Sequence, residues 1–256
     1  MIALITFSEA GASIGRILAD EMPGAILYTH ESATRRAGEI PFRRITSLIK
    51  KLFPTTDGIV LIGPCGIAIR AIAPHIHSKH TDPPVVVVDA GGRHAVSLIG
   101  GHEGGANNLA FIVSNIIGAE PVITTTTEAL KAYIIGIGCR KGVNADAIIA
   151  AVHFSLQKAG VSLEQVRVLS TADIKKHETG LVEAAHSLGI PIRFIPSDEI
   201  QACTKNFSIS RVAQKHVNLP AVAEPAALLA GRRTSLIQGK IIYRGVTVAI
   251  ARENYI

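Results

Sequence analysis

The densest chemical signal in the 256-residue chain is Gly100-Gly-His-Glu-Gly-Gly-Ala-Asn-Asn-Leu109, four glycines around His102-Glu103 that open directly into a helical pattern. Glycines let a ligand approach the backbone closely, and the unpaired N–H groups of a helix start favour an anion. An imidazole titrates near ~6.5, so a histidine at such a mouth is placed to move a proton. The competing reading is a tight strand-to-helix turn with an exposed histidine, but four glycines exceed what one turn requires.

A second loop, Gly63-Pro-Cys-Gly66, follows an apolar run and leads into Ile67-Ala-Ile-Arg70. In open α/β sheets ligands sit outside the carboxyl ends of strands, where this loop and an earlier Gly11 to Gly15 turn are expected to share one crevice. Neither loop has the spacing of a dinucleotide or P-loop motif, which weakens a nucleotide reading. Lys79-His-Thr-Asp82-Pro-Pro84 then enters an all-valine run that ends at Asp89. Of these two carboxylates, Asp89 is the one expected to face the crevice. His75, His77 and His80 could in principle bind a transition metal, but no carboxylate or thiolate stands at ligand spacing beside them, so solvent-facing histidines are expected and no metal site is assigned.

In the second half, Gly136-Ile-Gly-Cys139-Arg140-Lys-Gly142 couples a strand end to glycines and two cations, the outline of an anion-binding turn. Cys139 beside Arg140 could be an activated thiol, although a nucleophile also needs a positioned base, and a structural thiol is the simpler reading. Glu178 and Glu224 are acids near helix starts, where they complement the helix dipole.

These residues need a scaffold, and the apolar runs describe one. Ile2 to Phe7, Ala25 to Tyr28, Gly58 to Ile62, Val85 to Val88 and Val122 to Thr124 read as short buried strands. Helical patterns over Thr46 to Leu52, Ile67 to Ile76 and Asn107 to Ile117 fill the gaps. Continuous rather than alternating apolar strands imply burial on both faces, hence an α/β fold with mostly parallel sheets flanked by helices. One hairpin, across Gly91-Gly92, interrupts the pattern. A second α/β unit restarts at Ile134, with a helix that Asn144 could cap and a closing hairpin across Arg244-Gly245. Two consecutive domains, 1–130 and 131–256, are expected.

Composition narrows the function classes. Hydrophobic residues make up 48% of the chain and charged residues 18%, so disorder is excluded, and the net charge of +6 favours anionic partners. Aromatic content is 4% without tryptophan, which disfavours base stacking and therefore nucleic acid. Three cysteines without a CxxC pair fit a reducing cytoplasm, and no uncharged apolar run or leader-like opening points to a membrane or to export.

Read in order, Gly63-x-x-Gly66-x-x-x-Arg70-x-x-Ala73-Pro74, Lys79-x-x-Asp82-Pro83, the valine strand to Asp89 and Gly101-His102-x-Gly104-Gly105-Ala106-Asn107 resemble the N-terminal signature of the CbiG family of cobalamin biosynthesis. Gly136-Ile-Gly-Cys139-Arg140, Lys175-x-x-Glu178-x-Gly180-Leu181 and Glu224-Pro-Ala-Ala-Leu228 resemble its C-terminal domain. The resemblance implies a cobalt-precorrin-5A hydrolase of the anaerobic vitamin B12 route. Such an enzyme opens the ring-A lactone with water and releases acetaldehyde, giving cobalt-precorrin-5B. It implies no cofactor of the protein's own, cobalt being carried by the corrinoid substrate, and as candidate macromolecular partners a second copy of the chain or other enzymes of the pathway.

In that reading His102 is the expected general base, and Asp89 orients it or passes a proton to the departing alkoxide. Gly63, Gly66, Gly101, Gly104, Gly105, Asn107, Cys139, Glu178 and Glu224 line the substrate, while Arg70, Lys79 and Arg140 hold its carboxylates. The Gly63 loop and His102 are expected to open on one cationic hollow. One departure stands out: relatives carry a middle segment where only Thr127 to Ile134 joins the halves here. That gap keeps a second reading in play, a non-catalytic protein that binds or carries a corrinoid intermediate.

Overall fold

The computed structural model describes residues 1–254, and the chain divides into two compact units, Met1–Thr126 and Thr127–Ile256. In the first, seven strands form one sheet: β1 (Ile2–Thr6), β2 (Ile26–His30), β3 (Ile40–Phe42), β4 (Gly58–Ile62), β5 (Val85–Val88), β6 (His94–Ile99) and β7 (Glu120–Val122), in the order β3-β2-β1-β4-β5-β6-β7. Every pairing is parallel except β5 with β6.

Helices α1 (Glu9–Glu21), α2 (Ile45–Leu52), α3 (Cys65–Ile72) and α4 (Ala106–Ile117) cover both faces. Because side chains alternate along a strand, Leu4, Val60, Ile62, Val86 and Val88 pack under α1 and α4 with Leu18, Leu109 and Val113. Ala3, Ile5, Ile59 and Val85 pack on the other face with Ile49, Leu52 and Ile72. This two-sided burial explains why β4 and β5 read as unbroken apolar runs. Gly11 and Gly15 serve the same packing. A Cβ at Gly11 would run into the Thr6 hydroxyl, and one at Gly15 would come within 2.6 Å of Leu27, so these glycines seat α1 on the sheet rather than cradle a ligand.

The hairpin between β5 and β6 sets the geometry of everything that follows. Val88 pairs with Ala95 and Val85 with Ile99, so β6 runs back down the sheet and delivers its carboxyl end beside the start of β5. β7 is parallel to β6 and ends at the same edge. The first unit therefore has two loop-bearing edges. The first carries the carboxyl ends of β1, β2, β3, β4 and β5; the second carries those of β6 and β7.

At the boundary α5 (Thr126–Ala129) leads into the second unit's five-stranded sheet, of order β10-β9-β8-β12-β11: β8 (Tyr133–Cys139), β9 (Val166–Ala172), β10 (Ile192–Ile195), β11 (Thr234–Tyr243) and β12 (Val246–Glu253). This sheet is evenly mixed, parallel across β8, β9 and β10 and antiparallel across β8, β12 and β11. Around it lie α6 (Ala145–Ala159), α7 (Thr179–Leu188), α8 (Ser197–Gln201), α9 (Arg211–Val217) and α10 (Ala223–Leu229). Asn144 caps α6 as expected, its side chain accepting the Ala147 N–H at 3.0 Å. Arg244 and Gly245 both take positive φ, the geometry of a two-residue hairpin turn.

Candidate functional site

The glycine loop before α4 is built by close backbone approach. The Gly100 carbonyl accepts the Ala106 N–H at 2.9 Å and the Gly101 carbonyl accepts the Asn107 N–H at 3.1 Å, so the loop folds back over the helix start. A Cβ on Gly104 would sit 2.8 Å from the Gly100 oxygen, and Gly105 has a φ of +87°. Neither position tolerates a side chain. The Gly104 and Gly105 N–H groups donate to no protein acceptor among the described residues, at the positive end of a 12-residue helix. His102 is exposed between them and Gly101.

Lys79 reaches this loop from the connection before β5, where its Nζ lies 2.6 Å from Glu103 Oε1. The ammonium, through a hydrogen bond and its charge, holds the Glu103 carboxyl below its ordinary range. The connection owes its shape to Asp82, whose buried carboxylate accepts the N–H groups of His77 at 2.8 Å and Ser78 at 3.0 Å. Among the described residues no group of three His, Cys, Asp or Glu side chains converges on a metal position.

Asp89 lies elsewhere. It ends β5 at the first edge, and its carboxylate accepts the N–H groups of Gly91 (2.9 Å), Arg93 (2.9 Å) and His94 (2.8 Å). Burial works to raise its pKa, but these three donors and Arg93 outweigh it and hold it low. Asp89 is thus the organiser of the β5–β6 turn and cannot orient His102. Gly63 sits at the same first edge, its N–H donating to the Val88 carbonyl at 2.8 Å, whereas Gly100 lies against Pro84 at the second. At ~3.3 Å per residue, the two loops are separated by roughly 16 Å along the strands. The expected single hollow shared by His102 and the Gly63 loop is therefore replaced by two edges, because β6 is antiparallel to β5.

At the first edge a Cβ added to Gly63 would lie 3.1 Å from the Phe7 ring. Gly66 is different: a Cβ there meets nothing within 4 Å, its φ is not positive, and it occupies the first turn of α3, where glycine weakens a helix. Neither packing nor backbone conformation among the described residues requires it. Gly66→Ala is expected to raise stability by about 0.5 kcal/mol, read as a thermal shift, while weakening binding of any ligand seated on α3. Arg70 is exposed in the last turn of α3.

In the second unit two motifs prove to be halves of one turn. Glu178 Oε2 accepts the Gly142 N–H at 2.9 Å and Oε1 pairs with Lys175 at 3.2 Å. The Gly142 hydrogen bond comes first, and with Lys175 and Lys141 it holds the carboxyl low. Gly180 lets α7 lie on the backbone of Val143, whose carbonyl any Cβ would overlap. Glu178 therefore shapes the Cys139–Gly142 turn and has both oxygens occupied. Burial pushes the Cys139 thiol up, against the thiolate a nucleophile needs. Arg140 and Lys141 are exposed on the turn.

Glu224, expected at the substrate, is 4% exposed and satisfied from within. It accepts the Ser208 N–H and hydroxyl, both at 2.6 Å, and the Lys240 N–H at 2.8 Å. It is a structural carboxylate that joins α10 to β11 and to the loop before α9. Sequence reading passed over Ser97 and Thr125, whose side chains hold Asn107 at the second edge. The Thr124 to Thr127 run was the available signal.

Residues 47–128 match the family model described as Cobalamin synthesis G N-terminal, and residues 133–251 match Cobalamin synthesis G C-terminus. Over 128 residues, half of this chain, it is 39% identical to a cobalt-precorrin-5A hydrolase of Salmonella typhimurium, but the aligned part is only 36% of that protein's length. A cobalt-precorrin-5A hydrolase of Priestia megaterium is 23% identical with 82% of each chain covered. That alignment runs over 309 residues, longer than this whole chain, so the relative carries residues with no counterpart here. Protein CobE of Sinorhizobium is 30% identical over 128 residues, 49% of this chain and 83% of its own. With the N-terminal and C-terminal models matched in order on the two units that carry the glycine loop and the Glu178 turn, the chain belongs to the CbiG family of cobalamin synthesis proteins.

Proposed function

We propose that the chain is a cobalt-precorrin-5A hydrolase, adding water to the ring-A lactone of its corrinoid substrate and releasing acetaldehyde. The observation that carries this reading is the glycine loop at the head of α4, which sets His102 beside two backbone N–H groups with no protein acceptor among the described residues. His102 takes a proton from the attacking water. The Gly104 and Gly105 N–H groups, backed by the helix dipole, meet the oxyanion that forms on the lactone carbonyl. Lys79 supplies a cation for a substrate carboxylate once Glu103 yields it. Asp89 takes no part at this edge.

Incubation of the purified chain with cobalt-precorrin-5A and assay of acetaldehyde tests the activity. His102→Ala is expected to lower kcat by about 100-fold or more, the scale of general base catalysis. Undiminished turnover in that variant would remove His102 as the base. Tight corrinoid binding by the wild type without acetaldehyde would favour the carrier reading instead.

A further inference from the structure

We propose that Thr125 is a positioning residue for the His102 loop, acting on it through Asn107 and through direct contact at Gly101. The inference rests on the hydrolase reading for its kinetic consequence, though not for its structural one.

A loop with four glycines has little side-chain packing of its own, and each glycine loses more conformational freedom on ordering than any other residue. Something outside the loop must hold it. Asn107, 9% exposed, is the visible anchor. Its N–H donates to the Gly101 carbonyl at 3.1 Å, so whatever fixes the Asn107 side chain also fixes the backbone one residue before His102. That side chain is clamped from two sides: Oδ1 accepts the buried Ser97 hydroxyl at 2.8 Å, and Nδ2 donates to Thr125 Oγ1 at 2.9 Å. Ser97 belongs to β6 and is held by the sheet. Thr125 lies in the short stretch between β7 and α5, so it is the member that ties the loop to a second strand end.

Thr125 meets the loop by a second route. A Cβ added at Gly101 would run into the Thr125 methyl and would lie 3.3 Å from Asn107 Oδ1. The glycine at 101 is thus explained chiefly by Thr125, with Asn107 beside it and no positive φ demanding it. From one side chain the methyl lies against the residue preceding His102, and the hydroxyl holds Asn107, whose N–H binds that residue's carbonyl. Asn107, expected from sequence to touch substrate, has its amide committed to this clamp.

The decisive variants are Thr125→Val, which keeps the shape and deletes the hydroxyl, and Thr125→Ser, which keeps the hydroxyl. In hydrogen exchange on the full chain, Thr125→Val is expected to speed exchange of the Gly100 to Ala106 amides at least 10-fold with β1 and β4 unchanged, while Thr125→Ser stays near wild type. In the acetaldehyde assay Thr125→Val should lower kcat about 10-fold with KM within twofold, and Thr125→Ser should restore it. A role confined to stability would shift the thermal midpoint but leave kcat of the folded protein intact. Should Thr125→Val fold poorly, Ser97→Ala removes the other arm of the clamp and should speed the same amides. Wild-type exchange and kcat in Thr125→Val, or in Ser97→Ala where it replaces it, would overturn the proposal. If the wild type releases no acetaldehyde, the hydrolase reading falls, and loop exchange alone decides the role of Thr125.

Discussion

Replacing Gly136 with alanine is expected to unfold the second unit at a denaturant concentration where the first remains folded. Gly136 lies in β8 with a negative φ, so the backbone would accept alanine; the obstacle is space. An added Cβ would overlap the Ala223 carbonyl and come within 2.9 Å of the Ala227 Cβ. Both belong to α10, which rests on β8 where these two residues pass. A carbonyl in a helix cannot turn aside as a flexible side chain can, so α10 must lift as a body from a face that buries Ala226, Ala227 and Leu228. Overpacking of this kind costs about 3 kcal/mol. Hydrogen exchange followed through a urea series should show protection in β8 and β12 lost early, with β1 and β4 unaffected. Unchanged protection would mean that α10 does not sit on Gly136.

Glu224→Gln should destabilise the second unit by about 2 to 4 kcal/mol at neutral pH, and the deficit should shrink in acid. The carboxylate is buried and accepts three hydrogen bonds, two from Ser208 and one from Lys240. Glutamine offers a single oxygen and turns an amide N–H toward donors that need an acceptor, leaving buried groups unpaired. Burial alone would push the Glu224 carboxyl above its ordinary value of 4.5, but the Ser208 hydroxyl, the Lys240 and Ser208 N–H groups and the Lys240 charge outweigh it, so the net shift is downward. A group with a depressed folded pKa stabilises fully above its unfolded value and loses that contribution as pH falls through the folded one. Wild type and Glu224→Gln should therefore differ most near pH 7, and the gap in urea midpoint should narrow once pH drops below about 4.5. A constant gap across that range would show that the glutamate does not fold as an anion.

The strand and helix pattern was written in the chain because its causes are local. An unbroken apolar run such as Gly58–Ile62 has one economical use, a strand covered on both faces, and Asn144 ahead of an apolar-periodic stretch has one as a helix cap. The glycine loops were legible for the same reason, since only close approach or positive φ justifies so many glycines together. Even the reversal between β5 and β6 was announced by Gly91-Gly92.

Where side chains end up relative to one another was decided only in three dimensions. Asp89 and His102 are 13 positions apart and looked like partners, yet a single antiparallel strand carries them to opposite edges of the sheet. Glu224 and Glu178 had the same signature as acids at helix starts. The first is sealed under Ser208 and Lys240, and the second is held by Gly142 and Lys175. Thr125 gained its importance from Asn107, 18 residues away. Local sequence encodes backbone preference and burial, which depend on neighbours along the chain. The partner of a polar group depends on which distant backbone the fold brings within 3 Å, and strand direction, set here by one turn, determines that.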